Sequence, residues 1–210
     1  MKENVLLSKN NNKIPLEFPT KSSYAYRDTN YLLLTQIIEQ LSQQGTPSFI
    51  KENIFNKLQM TNSYIKNHSQ SQVNNSVIGY DVNDNKWDSD NRTLYYDGVI
   101  STTNDLSFLI SALQDVKFLT NRSKKLSSKR YFIFGDSGEF SPGIGYGWLI
   151  YFSNQIKVIS ISGNGNGYTS NVTLIPKLDI GIIMLSNNEK SYINFNLVDE
   201  IISYLTLQSK

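Results

Sequence analysis

Three glycines fall within five positions, Gly163, Gly165 and Gly167, inside the stretch VISISGNGNGYTSNVTLIP. A glycine-rich loop cradles phosphate when a strand precedes it and a helix follows, because helix N-terminal amides then face the anion. Here the residues that follow, YTSNVTLIP, alternate and are β-rich, and no Walker lysine comes after the glycines. The context is strand, turn, strand. Read this way, the glycines supply positive φ to a hairpin turn. The single histidine, His68, sits in KNHSQSQVNN with no carboxylate or second histidine beside it. It reads as a solvated loop residue, which leaves a Ser-His-Asp triad without its base.

The elements that position these residues follow from periodicity and turn signals. Residues 1–23 are polar and carry two prolines, which predicts an extended lead-in. Leu33, Ile37 and Leu41 recur at i, i+4, i+8, with Leu34 and Ile38 beside them, which predicts an amphipathic helix over 30–44. A second helix starts with Thr46 as N-cap and Pro47 at its first position, burying Phe49, Ile50, Ile54 and Phe55. Residues 61–95 read as loops with short strands such as VIGYD. A third helix begins near 103, with Thr102 and Asp105 at capping-box spacing. Residues 119–143 read as a loop with a short helix. YGWLIYF, KVISISG, SNVTLIP and IGIIMLSN are four strand-like runs separated by turn signals. NFNLVDEIISYLTL closes the chain as a helix with Leu197, Ile201 and Leu205 on one face. Helices followed by an antiparallel meander and a closing helix define an α+β domain.

Bulk properties narrow the function classes. The chain has 210 residues, 39% of them apolar and 12% aromatic, enough for one packed domain. Its net charge is +2 with scattered basic residues, so no electrostatic footprint for nucleic acid is present. It has no cysteine, hence no disulfide framework and no thiolate metal site. No run reaches the length of a membrane-spanning helix, and the start lacks the apolar stretch of a signal peptide. As written, the chain is expected in the cytoplasm, or it has lost its true beginning. No cofactor or metal is expected.

Several pieces, taken in order, resemble the serine β-lactamase and penicillin-binding-protein superfamily, in its class C-like branch. YAYRDTNYLLLTQIIEQLSQQ resembles that branch's tyrosine motif and following helix. FIKENIFNKLQMTNS resembles the segment after it, and YDGVISTTNDLSFLISAL the Gly-Gly, Ser-Thr, Asp-Leu stretch. YGWLIY, then Ser162-Gly163, then LIPKLDIGIIMLSN resembles the C-terminal sheet. The resemblance implies a β-lactamase/transpeptidase-like fold, with a helical and loop part over about 24–143 and antiparallel strands with a closing helix over 144–207. It implies acyl transfer from amide or ester substrates such as β-lactams, D-Ala peptides or D-alanyl esters. In this chemistry a Ser-x-x-Lys serine attacks the carbonyl, a Tyr-x-Asn tyrosine helps move the proton, and backbone N–H groups hold the oxyanion.

By the same resemblance, Tyr26 takes the tyrosine place and Asp28 stands where Asn is usual. An ionised Asp only accepts hydrogen bonds, whereas Asn also donates. Ser162 and Gly163 take the hydroxyl and glycine places of the third motif, and the Asn164 N–H is the oxyanion donor. Ile161 stands where a basic residue is usual and can neither attract an anion nor tune the tyrosine. Tyr26 and Ser162 are expected across one cleft. Only 25 residues precede Tyr26, and they hold no Ser-x-x-Lys. The matches Ser48-x-x-Lys51 and Ser63-x-x-Lys66 both fall after the tyrosine motif, in segments that resemble other parts of the family. The pattern is short enough to arise by chance, and both are read as decoys. The expectation is a single incomplete domain: a truncated or degenerate serine hydrolase, inactive as this chain alone. Two alternatives are one half of a split enzyme, completed by an N-terminal Ser-x-x-Lys-bearing polypeptide, and a non-catalytic module binding cell-wall fragments. Full-length relatives of this kind are often extracytoplasmic. Self-association through unsatisfied apolar surface is the other expected partnership.

Overall fold

The computed structural model describes residues 17–65, 76–87, 98–115, 118–165, 167–191 and 195–207. The lead-in over residues 1–16, His68 and Lys66 lie outside the described residues. Five helices are described: α1 (Asp28–Ser42), α2 (Thr46–Ile50, continued by a π turn Lys51–Phe55), α3 (Thr103–Gln114), α4 (Asn121–Ser127) and α5 (Phe195–Leu207). A two-stranded pair joins β1 (Tyr64–Ile65) to β2 (Val99–Ile100). The main sheet is a six-stranded antiparallel meander: β3 (Phe132–Ile133), β4 (Gly143–Ile144), β5 (Leu149–Ser153), β6 (Ile156–Gly165), β7 (Tyr168–Ile175) and β8 (Ile180–Ser186). This is the expected α+β architecture.

The sheet's two faces divide by the period of two. One face sends Ile156, Val158 and Ile175 against Val198 and Ile202 of α5. The other sends Ile150, Ile159 and Leu174 against Ile110 of α3. The β5–β6 hairpin turns on Asn154 and Gln155, both at positive φ (48° and 62°), which matches the right-handed strand twist of a two-residue turn. At the β6–β7 turn, Gly167 has φ 83°, and a Cβ there would lie 2.8 Å from Gly79 and Trp87. Its carbonyl accepts from the Tyr80 N–H at 3.0 Å, and its N–H donates to the Glu189 carboxylate at 2.7 Å. The glycine therefore serves close packing at a hairpin, as the sequence context requires.

Four local readings are corrected. Gly45, not Thr46, is the N-cap of α2. The Thr46 hydroxyl turns back to the Thr35 carbonyl, and Glu39 of α1 accepts from the Thr46 N–H, so a neighbouring helix does the capping. The buried face of α5 is centred on Val198 and Ile202, while Leu197 stays exposed. The helix is apolar over a broad face, and packing onto Ile156 and Ile175 selects the centre of that face. Phe132–Ile133 and Gly143–Ile144, read as loop, are strands that extend the meander. VIGYD is not a strand: only Tyr80 makes isolated bridges, to Lys86 and Asn188.

Two surfaces remain uncovered among the described residues. α1 has no buried residue, and Leu33, Leu34, Ile37 and Leu41 are all exposed, Leu41 to 82%. β8 pairs with β7 alone, so its other edge is open. No helix among the described residues is long and apolar enough to cross a membrane.

Candidate active site

The third-motif residues lie at the far end of β6. β5 pairs with β6 only from Ile156 to Ser160, whereas β7 continues to Gly165. Residues 161–165 thus have a strand on one side and none on the other among the described residues. In an antiparallel ladder alternate residues direct both N–H and C=O to the same side, so this run presents backbone groups to its open edge. Ser162, Gly163 and Asn164 are all exposed there. Ile161 points to the opposite sheet face from Ser162 and is 43% exposed. The Asn164 side chain donates to the Glu189 carbonyl at 3.2 Å, which ties this end of β6 to the turn after β8.

Ser162 is held from beneath. The Asn171 amide donates to Ser162 Oγ and to Ser160 Oγ, each at 2.9 Å, and accepts from Thr173 Oγ1 at 2.8 Å. Ser160 and Thr173 are 2.8 Å apart. Ser160, Asn171 and Thr173 are buried, and satisfied polar groups are the form in which such residues tolerate burial. This network was not anticipated. Its signal is the alternation of Asn171 and Thr173 with Val172 and Leu174 in a strand that reads as buried.

The tyrosine motif forms a second locus. Tyr24 packs on Phe132 and Phe134, with ring centroids 5.9 and 5.5 Å away, which fastens the entry to α1 to the β3 edge of the sheet. Tyr26 is 58% exposed, with its ring 5.8 Å from Tyr31. Asp28 is the first residue of α1, where a carboxylate is favoured by the helix dipole. The Asp28 carboxylate, as hydrogen-bond acceptor, raises the Tyr26 pKa above the ordinary tyrosine value; slight desolvation adds to this. That is the reverse of what a proton-accepting tyrosine needs. Among the described residues no hydrogen bond, ion pair or ring contact joins Tyr26 or Asp28 to Ser162–Asn164. Nor is any group of three or more His, Asp or Glu placed to hold a metal ion.

The two Ser-x-x-Lys serines sit in different surroundings. Ser48 is exposed on the short α2. Ser63 donates to Asp105 at 2.7 Å and lies 2.7 Å from the Ser101 hydroxyl. The fully buried Asp105 also accepts from the Asn62 N–H at 2.8 Å and its side-chain amide at 3.3 Å. Thr102 caps α3 by accepting from the Asp105 N–H, as the spacing suggests, but the Asp105 carboxylate is spent on clamping Asn62 and Ser63.

The motif order, the α+β meander and this site geometry are accompanied by a family match: the Beta-lactamase family model covers residues 7–197. The chain belongs to the Beta-lactamase family. It is 27% identical to penicillin-binding protein 4* of Bacillus subtilis over 190 residues, 82% of this chain and 42% of that protein. The octameric penicillin-binding protein homologue from Pyrococcus abyssi has a similar fold, with TM-score 0.71, 24% identity, and coverage of 87% of this chain and 43% of that one. So does the D-amino acid amidase from Ochrobactrum anthropi, with TM-score 0.69, 17% identity, and coverage of 90% and 59%. This Beta-lactamase family chain spans less than half the length of the curated relatives it matches.

Proposed function

We propose that this chain forms part of an acyl-transfer site of the β-lactamase and penicillin-binding-protein type. Tyr26 and Asp28 supply its tyrosine side, and Ser162, Gly163 and Asn164 its substrate-binding strand. The observation that carries this reading is the exposed, one-sided run 161–165 of β6, with Ser162 at its centre. A substrate carbonyl laid along that edge meets backbone N–H groups that stabilise an oxyanion. The substrate class is an amide or ester of the β-lactam, D-alanyl peptide or D-alanyl ester kind. The amidase of similar fold supports D-amino acid amides within that class.

The chain alone does not turn over. Three observations support this: the Ser63 hydroxyl donates to Asp105, Ile161 brings no cation, and Asp28 raises the Tyr26 pKa. The nucleophile comes from a Ser-x-x-Lys-bearing segment outside these 210 residues. Its lysine would also offset the effect of Asp28 on Tyr26. The open faces of α1 and β8 are where such a segment packs, and in its absence they drive self-association. The octameric assembly of the Pyrococcus homologue accords with that tendency.

Labelling with a fluorescent penicillin tests the proposal. The lone chain is expected to remain unlabelled, and a co-purified Ser-x-x-Lys polypeptide to carry the label in the complex. A label on the lone chain that is lost in Ser48→Ala or Ser63→Ala overturns it. Reversible binding of cell-wall fragments with no covalent label in any complex marks a binding module instead.

A further inference from the structure

Beneath Ser162 the hydrogen-bond donors can be counted, and the count fixes a direction. Thr173 has one hydroxyl proton, and it goes to Asn171 Oδ1 at 2.8 Å. Thr173 therefore accepts, and does not donate, in its 2.8 Å contact with Ser160. Ser160 gives its single proton to Thr173 and accepts from Asn171 Nδ2 at 2.9 Å. Ser160, Thr173 and Asn171 thus close a ring in which every proton runs the same way round. Asn171 has one N–H left, and it donates to Ser162 Oγ at 2.9 Å. The proton of Ser162 has no acceptor among the described residues.

Burial makes this arrangement rigid. Ser160 and Thr173 are fully buried and Asn171 is 2% exposed, so no solvent competes for their protons. A buried amide that reversed would have to reverse the whole ring with it. Ser162 is the one member at the surface, at the open end of β6.

We propose that Asn171 is a positioning residue. It holds Ser162 as an acceptor on the sheet side, so that the single Ser162 proton is presented outward to an oxygen of the acyl substrate. The alternative orientation of the amide would draw that proton inward and offer the substrate a lone pair, which repels a carboxylate. Specificity for an anionic or carbonyl oxygen at Ser162 is thus set one layer below the surface, by a residue that touches no substrate. The inference rests on the acyl-transfer reading of the site for its substrate, but not for the direction of the bonds.

Side-chain amide NMR of the full 15N-labelled chain separates the two. The Asn171 amide is assigned in the wild type through sequential connectivities, so the assignment needs no Asn171 variant to fold. Ser162→Ala is expected to shift one Nδ2 proton upfield and leave the other in place, and Ser160→Ala to shift the other. Both protons should exchange with solvent far more slowly than those of exposed asparagines in the same spectrum. If Ser162→Ala moves neither proton and Thr173→Val moves one, the amide is reversed and the proposal is overturned. Titration with benzylpenicillin, which carries a carboxylate, is expected to move the Ser162-facing proton selectively. A titration that moves neither, with the two-variant pattern intact, removes the substrate contact given to Ser162 in this chain and leaves the direction of the bonds standing.

Discussion

Ile110 of α3 packs directly onto the backbone of Gly181 in β8: a Cβ at position 181 would lie 2.4 Å from Ile110 Cγ2 and 3.0 Å from Cδ1. That approach lets α3 sit close on the sheet face where Ile110 joins Ile150, Ile159 and Leu174. Ile110 is β-branched and buried, so it has little freedom to give way. Gly181→Ala is expected to destabilise the fold by about 1–3 kcal/mol through overpacking. Ile110→Ala should cost about 2–5 kcal/mol through a cavity. The double variant should cost less than the sum, because the new methyl fills the space that Ile110 leaves. Urea denaturation of the three variants measures this, and strict additivity would mean that the two residues do not meet.

The Asp105 clamp makes a second prediction. Asp105→Ala leaves the Asn62 N–H and Ser63 hydroxyl without their acceptor in a buried site. Hydrogen bonds to charged groups contribute roughly 1.5–3 kcal/mol each, and a buried donor left unmet adds its desolvation cost. A loss of about 3 kcal/mol is expected by the same denaturation assay. Ser63→Ala removes one partner and should cost about 1 kcal/mol. If Ser63→Ala abolished a covalent penicillin adduct instead, Ser63 would be a nucleophile and the clamp a misreading.

Much of the fold was legible, for physical reasons that differ by element. The four long strands carry dense β-branched runs between turn residues, so β5 to β8 are legible in the sequence with ends that shift by a few residues. β3 and β4 were missed because two-residue strands hold no period. α1 was found from its stripe, yet the structure leaves Leu33, Ile37 and Leu41 exposed: periodicity reports that a face is apolar, not that anything covers it. For the candidate site, Ser162, Gly163 and Asn164 are named by motif order, which constrains their place on β6. Asn171 could not, since its role depends on cross-strand register, with Ser162 opposite Asn171 and Ser160 opposite Thr173.

Tyr151 yields a pH prediction. Burial, reinforced by the nearby Asp199 carboxylate, pushes its pKa up to about 12. In the unfolded chain a tyrosine titrates near 10. The folded pKa is the higher of the two, so the folded state retains the proton longer. The contribution is fully present below about pH 10 and is lost as pH rises toward about 12. Tyr151→Phe removes the titration. The variant's stability should therefore fall less steeply than the wild type's across that window, as read from urea midpoints at several pH values. Parallel curves for the two proteins would show that Tyr151 titrates normally.

Asp28 raises the Tyr26 pKa. With the acceptor carboxylate removed, Asp28→Asn should bring the Tyr26 ionisation back down toward the ordinary tyrosine value. Difference absorbance of the phenolate, with Tyr26→Phe subtracted to isolate the one residue, follows this directly. An unchanged or higher value in Asp28→Asn would detach Asp28 from the tyrosine.

The open β8 edge makes the last prediction. Ile180, Ile182, Ile183, Met184 and Leu185 lie on a strand that pairs on one side only among the described residues, and all stay partly exposed. An unpaired edge of this composition is a template for pairing with another chain, and a charge on the edge is the usual protection. α1 likewise leaves Leu33, Leu34, Ile37 and Leu41 uncovered among the described residues. Each such side chain forgoes roughly 1.5–3 kcal/mol that burial would bring, against a total stability of about 5–15 kcal/mol for a typical domain. The purified chain is expected to self-associate in a concentration-dependent way. Leu185→Lys, at a 41% exposed position facing outward, should shift it toward monomer without lowering its thermal midpoint. Size-exclusion chromatography with light scattering gives the mass, and calorimetry gives the midpoint. A wild-type monomer with a sharp transition well above 50 °C, in the upper part of the mesophile range, would show that these apolar surfaces need no partner.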